Sequence, residues 1–134
     1  MDIIHQFAGH KARKESRSSP YGLLTNRAGS FFLWEEDPTT RYSGYFLRDA
    51  SSQKTFKIIE HIRIKDEAKT TQFVNNIHTL RKHSKSNSQA AFLPSSSSVL
   101  LYSLDAPSSI ELTLDIREIF DSREWGRHYS CWEE

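Results

Sequence analysis

Cys131 is the only cysteine in the 134 residues. An intrachain disulfide is therefore impossible, and a zinc site built from several thiolates is excluded. Long apolar runs are missing as well. None exceeds four residues, whereas a membrane-spanning helix needs about 20. An excess of one charge is also missing. Lys and Arg number 18 and Asp and Glu 17, a net charge of +1. No global field steers such a chain to nucleic acid or to an anionic membrane. Glycine is scarce. Gly29, Gly44 and Gly126 stand alone, and none sits in Walker, dinucleotide or G-x-S-x-G spacing. The opening Met1-Asp2-Ile3-Ile4-His5 lacks the basic start and apolar stretch of a secretory signal. These absences predict a cytoplasmic domain without metal or cofactor.

What is present is apolar to 37%, low for a globular domain but enough for a single core. Residues 1–19 predict a mobile basic leader, with Lys11, Arg13, Lys14 and Arg17 against Glu15. Residues 20–134 read as one β domain. Tyr21 to Thr25 and Ser30 to Trp34 flank the turn-like Asn26-Arg27-Ala28-Gly29, which is hairpin grammar. Pro38 keeps the acidic connection Glu35-Glu36-Asp37 from being helical. Tyr42 to Leu47 predicts a strand interrupted by Gly44, as at a bulge or a close backbone approach. Apolar residues lie on both its faces, so it should be covered on both sides.

Residues 56–64 alternate. Phe56, Ile58, Ile62 and Ile64 fall on one face and Lys57, His61 and Arg63 on the other. Residues 70–80 fit a helical stripe (Phe73, Val74, Ile77, Leu80) or two strands turning at Asn75-Asn76; the strand reading is preferred. Residues 82–89 and 95–98 read as serine-rich loops, with a short strand at Ala90 to Leu93 and another at Val99 to Leu104. The cleanest pattern is Ile110, Leu112, Leu114 and Ile116 against Glu111, Thr113, Asp115 and Arg117, a strand on a sandwich core. A last alternation at Gly126 to Trp132 has no successor. The domain is therefore expected to be incomplete at its C-terminus, as in a fragment or a split-gene product. The predicted fold is mainly β, an antiparallel sandwich.

Chemistry-bearing constellations are few. His5/His10 and His78/His83 are five apart, wrong for one face of a helix or a strand, so metal ligation is not expected. Cys131 near His128 lacks any thiol-catalysis signature. Glu35, Glu36 and Asp37 in one loop and Asp121 and Glu124 in another could supply the carboxylate pair of a glycosidase. Solvated loop acids are the preferred reading. Trp34, Trp125 and Trp132 stand beside polar turns, where an indole can stack on a sugar, pack an interface or fill a core.

Residues 23–49 (LLTNRAGSFFLWEEDPTTRYSGYFLRD) resemble the N-terminal domain of the glycogen debranching enzyme (amylo-α-1,6-glucosidase) family. The matching positions are Thr25, Asn26, Gly29, Ser30 and Phe31, then Arg41, Tyr42, Gly44 and Tyr45, then Arg48 and Asp49. Leu112 to Tyr129 resembles a later strand of that domain. Ser43 stands where many members have His, and Gly29-Ser30 replaces a Gly-Gly pair. The resemblance implies an antiparallel β-sandwich preceding a helical-barrel glycosidase domain. The family's catalytic carboxylates belong to that barrel, so none carries over and the chain alone is expected to be inactive. The implied function is support of α-glucan breakdown, with the barrel as partner and an α-glucan as a second candidate. Trp34, Arg41, Tyr42, Gly44, Tyr45, Trp125 and Trp132 are the carbohydrate or domain-interface candidates. The alternatives are a free-standing carbohydrate-binding module and a regulatory or adaptor domain acting through the basic leader.

Overall fold

The computed structural model describes residues 3–6, 21–37, 40–65 and 67–119. These form ten strands and no helix: β1 (Ile3–Gln6), β2 (Tyr21–Thr25), β3 (Phe31–Glu35), β4 (Gly44–Arg48), β5 (Thr55–Ile64), β6 (Thr70–Asn75), β7 (Thr79–Ser84), β8 (Ser88–Phe92), β9 (Leu101–Leu104) and β10 (Ile110–Glu118). They make two antiparallel five-stranded sheets. The front sheet runs β10-β5-β4-β3-β2 and the back sheet β1-β6-β7-β8-β9. The mainly-β expectation is met.

The core lies between the sheets. Leu24, Phe32, Trp34, Tyr45 and Ile62 come from the front sheet and Phe73, Leu80 and Ala91 from the back, with Leu93 following β8. Burying each large side chain here contributes about 1.5–3 kcal/mol. Gly22 lets β2 lie directly on β7, since a Cβ there would meet the Leu80 side chain. The hairpin turn before β3 is fastened to the connection between β8 and β9 of the back sheet. Asn26 Nδ2 donates to the carbonyls of Pro94 (2.9 Å) and Ser97 (2.8 Å), while its Oδ1 accepts from the Ser30 amide (3.0 Å).

Four local expectations need correction. Ile3–Gln6, placed in the leader, pairs antiparallel with β6; the rest of the leader lies outside the described residues, as does the expected strand near Gly126. The strand expected from Tyr42 begins at Gly44 instead. Residues 82–89, read as a loop, are largely the facing halves of β7 and β8, paired through Lys82↔Gln89 and His83↔Ser88. Their inward positions hold Lys82 and Gln89, so polarity disguised two core strands. In β5 the alternation breaks at a register shift, with Tyr45 opposite Ile59 and Phe46 opposite Lys57. Lys57 stays on the expected outer row beside Phe46, yet it is buried there, its ammonium donating to the Arg41 carbonyl.

Candidate functional site

β4 starts at Gly44, opposite Leu33, but its neighbours continue past it, β3 to Glu35 and β5 to Ile64. This leaves a notch in the front sheet, a cavity of about 370 Å³ lined by Trp34, Glu36, Glu60, His61, Arg63 and Lys82 among others. Its floor is a buried polar chain. Lys82 Nζ lies 3.0 Å from Glu67 Oε2 and 3.3 Å from Glu36 Oε2, and sits over the Trp34 ring at 5.7 Å. Gln89 donates to Glu67 and accepts from the Tyr102 hydroxyl (2.6 Å). The Thr70 hydroxyl and amide both donate to Glu36.

One ammonium meets two carboxylates in this floor, and hydrogen bonds from Thr70 and Gln89 complete their coordination. Burial pushes the Glu36 carboxyl up, but the Thr70 hydrogen bonds and the Lys82 ammonium outweigh burial, and the net shift is downward. Burial, then the nearby Glu67 charge, raises the Tyr102 phenol. A buried ammonium with two carboxylates and satisfied neighbours locks two sheets together. It leaves little for a ligand. At the rim, burial lowers the His61 imidazole, with Arg63 and Lys57 adding to the effect and Glu60 opposing it.

The outer face of the front sheet differs. Tyr21, Leu23 and Thr25 of β2 pair with Glu35, Leu33 and Phe31 of β3 on the side away from the core. A groove of about 470 Å³ runs over them, lined by Leu23, Thr25, Phe31, Leu33 and Tyr42 and by the hairpin turn. Tyr21, Leu23 and Tyr42 are 56%, 43% and 41% exposed. Next to the groove, Phe46 is fully buried, stacked on Phe31 at 4.5 Å between ring centroids. Lys57 covers the other side of Phe46 and donates to the Arg41 carbonyl (3.3 Å) and to Glu60 (2.9 Å). The segment through Arg41 thus supplies the outer cover that a strand apolar on both faces requires. Beside it, buried Asp115 pairs with Arg117 at 2.8 Å. Burial pushes the Glu60 carboxyl up, but the hydrogen bonds with Lys57 and Asp115 and the Lys57 charge bring it down overall.

The sequence-derived candidates separate accordingly. Trp34 is 4% exposed, packed among Phe32, Phe73 and Tyr102; its ring belongs to the core and offers no stacking face. Tyr45 is likewise in the core, its phenol raised by burial against a smaller lowering by Ser30. Gly44 takes φ +105°, and a Cβ there would stand 2.0 Å from the Ile59 carbonyl oxygen. Its requirement is therefore set by the β5 backbone. Arg41 and Tyr42 are exposed and joined, guanidinium 4.9 Å from the ring centroid and Nη2 donating to the hydroxyl at 2.8 Å. Trp125 and Trp132 lie outside the described residues. Tyr21, Leu23, Phe31 and Leu33 were missed as site residues. The signal was available: two adjacent strands carry apolar side chains in both phases, so one row must lie outside the core.

No protein-family model, curated protein or solved structure matches the chain.

Proposed function

We propose that the chain is a non-catalytic β-sandwich that docks a neighbouring domain on the outer face of its front sheet. The observation that carries this is the apolar groove of about 470 Å³ outside the core, bordered by Leu23, Phe31, Leu33 and Tyr42. A soluble surface rarely leaves a contiguous apolar patch unless something covers it. The family resemblance gives the partner its chemistry: a helical-barrel glycosidase domain acting on α-glucans, with this chain supporting it in glycogen breakdown. The non-catalytic reading is supported by the engagement of Glu36 and Glu67 with Lys82 and of Glu60 with Lys57. A glycosidase pair needs carboxyls poised across an accessible sugar.

A second reading draws on Tyr21 and Tyr42, two exposed rings bordering that face. Tyrosine stacks on the apolar face of a sugar as readily as on a protein, so the sheet could bind an α-glucan directly. Calorimetric titration of the chain with a glycogen-debranching-type barrel domain, and separately with maltoheptaose, decides between them. The docking reading expects heat with the barrel and none with the sugar. Heat with the sugar alone supports the binding module, and heat with neither rejects both.

A further inference from the structure

The floor of the notch is taken up by the Lys82 network, but its walls are strand edges. β4 lies between β3 and β5, and it stops at Gly44 while both neighbours run on. Neighbouring strands lie about 4.8 Å apart, so β3 and β5 stand two spacings apart there and leave the width of one strand. The cavity of about 370 Å³ occupies that space. Among the described residues no strand pairs with β5 from Glu60 to Ile64 on this side, nor with Trp34 and Glu35 of β3.

The ladders show which peptide groups these walls present. The Lys65 amide donates to the Ser109 carbonyl at 3.1 Å. In register with that bond, Arg63 and His61 lie opposite Glu111 and Thr113 of β10. Antiparallel bonding alternates along a strand, so Ile62 and Ile64 turn their peptide groups the other way, into the slot. The Glu67 amide donates to the Ile64 carbonyl (3.4 Å). Among the described residues no strand meets the Ile62 N–H and C=O or the Ile64 N–H. On the opposite wall the Asn26 amide donates to the Ser30 carbonyl (3.1 Å). The same alternation gives Trp34 to β2 and turns the peptide groups of Glu35 toward the slot. Main-chain donors and acceptors thus converge from both sides, as a sheet presents them to an added strand.

The charge of the lining sets the chemistry of the occupant. Glu35, Glu36, Asp37, Glu60 and Glu67 line the slot against Lys82 and Arg63. Counting Lys57, which pairs with Glu60, acids still outnumber bases by two. Burial pushes His61 at the rim toward its neutral form. Such a slot repels an acidic segment and favours a basic one. We infer that an extended lysine- or arginine-rich segment of a partner protein inserts between β3 and β5, continuing the line of β4 and bonding through its main chain to Glu35, Ile62 and Ile64. The contact uses strand edges rather than the outer groove, so it stands whether or not that groove docks a barrel domain.

The probe is a capped hexapeptide of alternating lysine and valine, titrated into the full chain and followed by amide NMR. Binding should slow hydrogen exchange at the Ile62 and Ile64 amides at least about tenfold. The same peptide N-methylated at its valines keeps the charge but loses half its main-chain donors, and it should not bind. The glutamate–valine counterpart should not bind either. Asp37 and Arg63 are exposed. Asp37→Lys should weaken the lysine peptide and Arg63→Glu should tighten it, each by about threefold or more at low salt. Circular dichroism of each variant checks its fold, and a gain in affinity by Arg63→Glu cannot come from unfolding. Exchange at Ile62 and Ile64 that is unchanged at millimolar peptide overturns the inference. So does equal binding of the N-methylated or the glutamate peptide, or a shift of the opposite sign in either variant.

Discussion

Gly44 faces the carbonyl oxygen of Ile59 across β4 and β5, so close that a Cβ would stand 2.0 Å from it and 2.8 Å from the Glu60 oxygen. Both obstacles are backbone atoms and cannot swing aside. The φ of +105° adds strain for any L side chain. Gly44→Ala should lower the unfolding free energy by about 1–3 kcal/mol, as at other overpacked sites, and Gly44→Val by more. Urea midpoints of the purified variants check this. An unchanged midpoint in Gly44→Val would contradict this reading of the contact.

Lys82 is buried with two carboxylates, Glu67 and Glu36, and little else can neutralise them. Lys82→Met removes the cation and leaves two acids uncompensated. Breaking one partner of a buried ion pair costs about 3–5 kcal/mol. The triple change Lys82→Met, Glu36→Gln and Glu67→Gln should recover part of that loss, because no charge is then stranded. Equilibrium unfolding of both proteins tests the difference; equal stabilities would remove the network from the account of the fold.

The same network sets an acid limit. The Glu36 carboxyl is held below its unfolded value, which lies at about 4.3, despite burial that pushes it up. A carboxyl with a depressed folded pKa adds stability that is fully present above the unfolded value and disappears as pH falls through the folded one. Stability should therefore decline on acidification from about pH 5 downward, more steeply in wild type than in Glu36→Gln. Urea midpoints across that range provide the measurement, and parallel declines would contradict it.

The hairpin turn should depend on Asn26 more than on its glycine. Its side chain joins the turn to Pro94, Ser97 and Ser30 by three hydrogen bonds. Asn26→Ala leaves those groups without their partner, at about 1–3 kcal/mol for a buried unsatisfied polar group. Asn26→Asp keeps the acceptor for the Ser30 amide but loses both donors, so it should not rescue. A thermal midpoint equal to wild type in either variant would count against the turn as a fastening point.

Most of the strands could be read from the sequence, because period-two alternation and turn residues depend only on local chemistry. The β2–β3 hairpin and the strand character of β5 and β10 were legible in this way. Tertiary context erased the rest. Lys82 and Gln89 look like loop residues until Glu67 arrives from the β5–β6 connection to meet them. Lys57 looks solvated until the Arg41 carbonyl and Glu60 enclose it. Trp34 beside Glu35 and Glu36 has the local look of a binding residue, yet Phe73 and Tyr102 from the opposite sheet take its faces. The outer groove was hidden for a related reason. Phe31 and Leu33 sit in the same apolar run as Phe32 and Trp34, and only the pairing shows which two face outward.

The docking role rests on that outward row, and one titration tests it most directly. Leu23→Lys and Leu33→Lys alter exposed or half-buried groove side chains away from the core. Surface changes of this kind usually shift stability by no more than about 0.5 kcal/mol, so both variants should fold as wild type does. Titrated into a glycogen-debranching-type barrel domain, wild type should bind and each variant should lose at least about tenfold in affinity, or about 1.4 kcal/mol. Wild-type affinity in both variants, or no binding by the wild-type chain, would contradict the proposed role of this face.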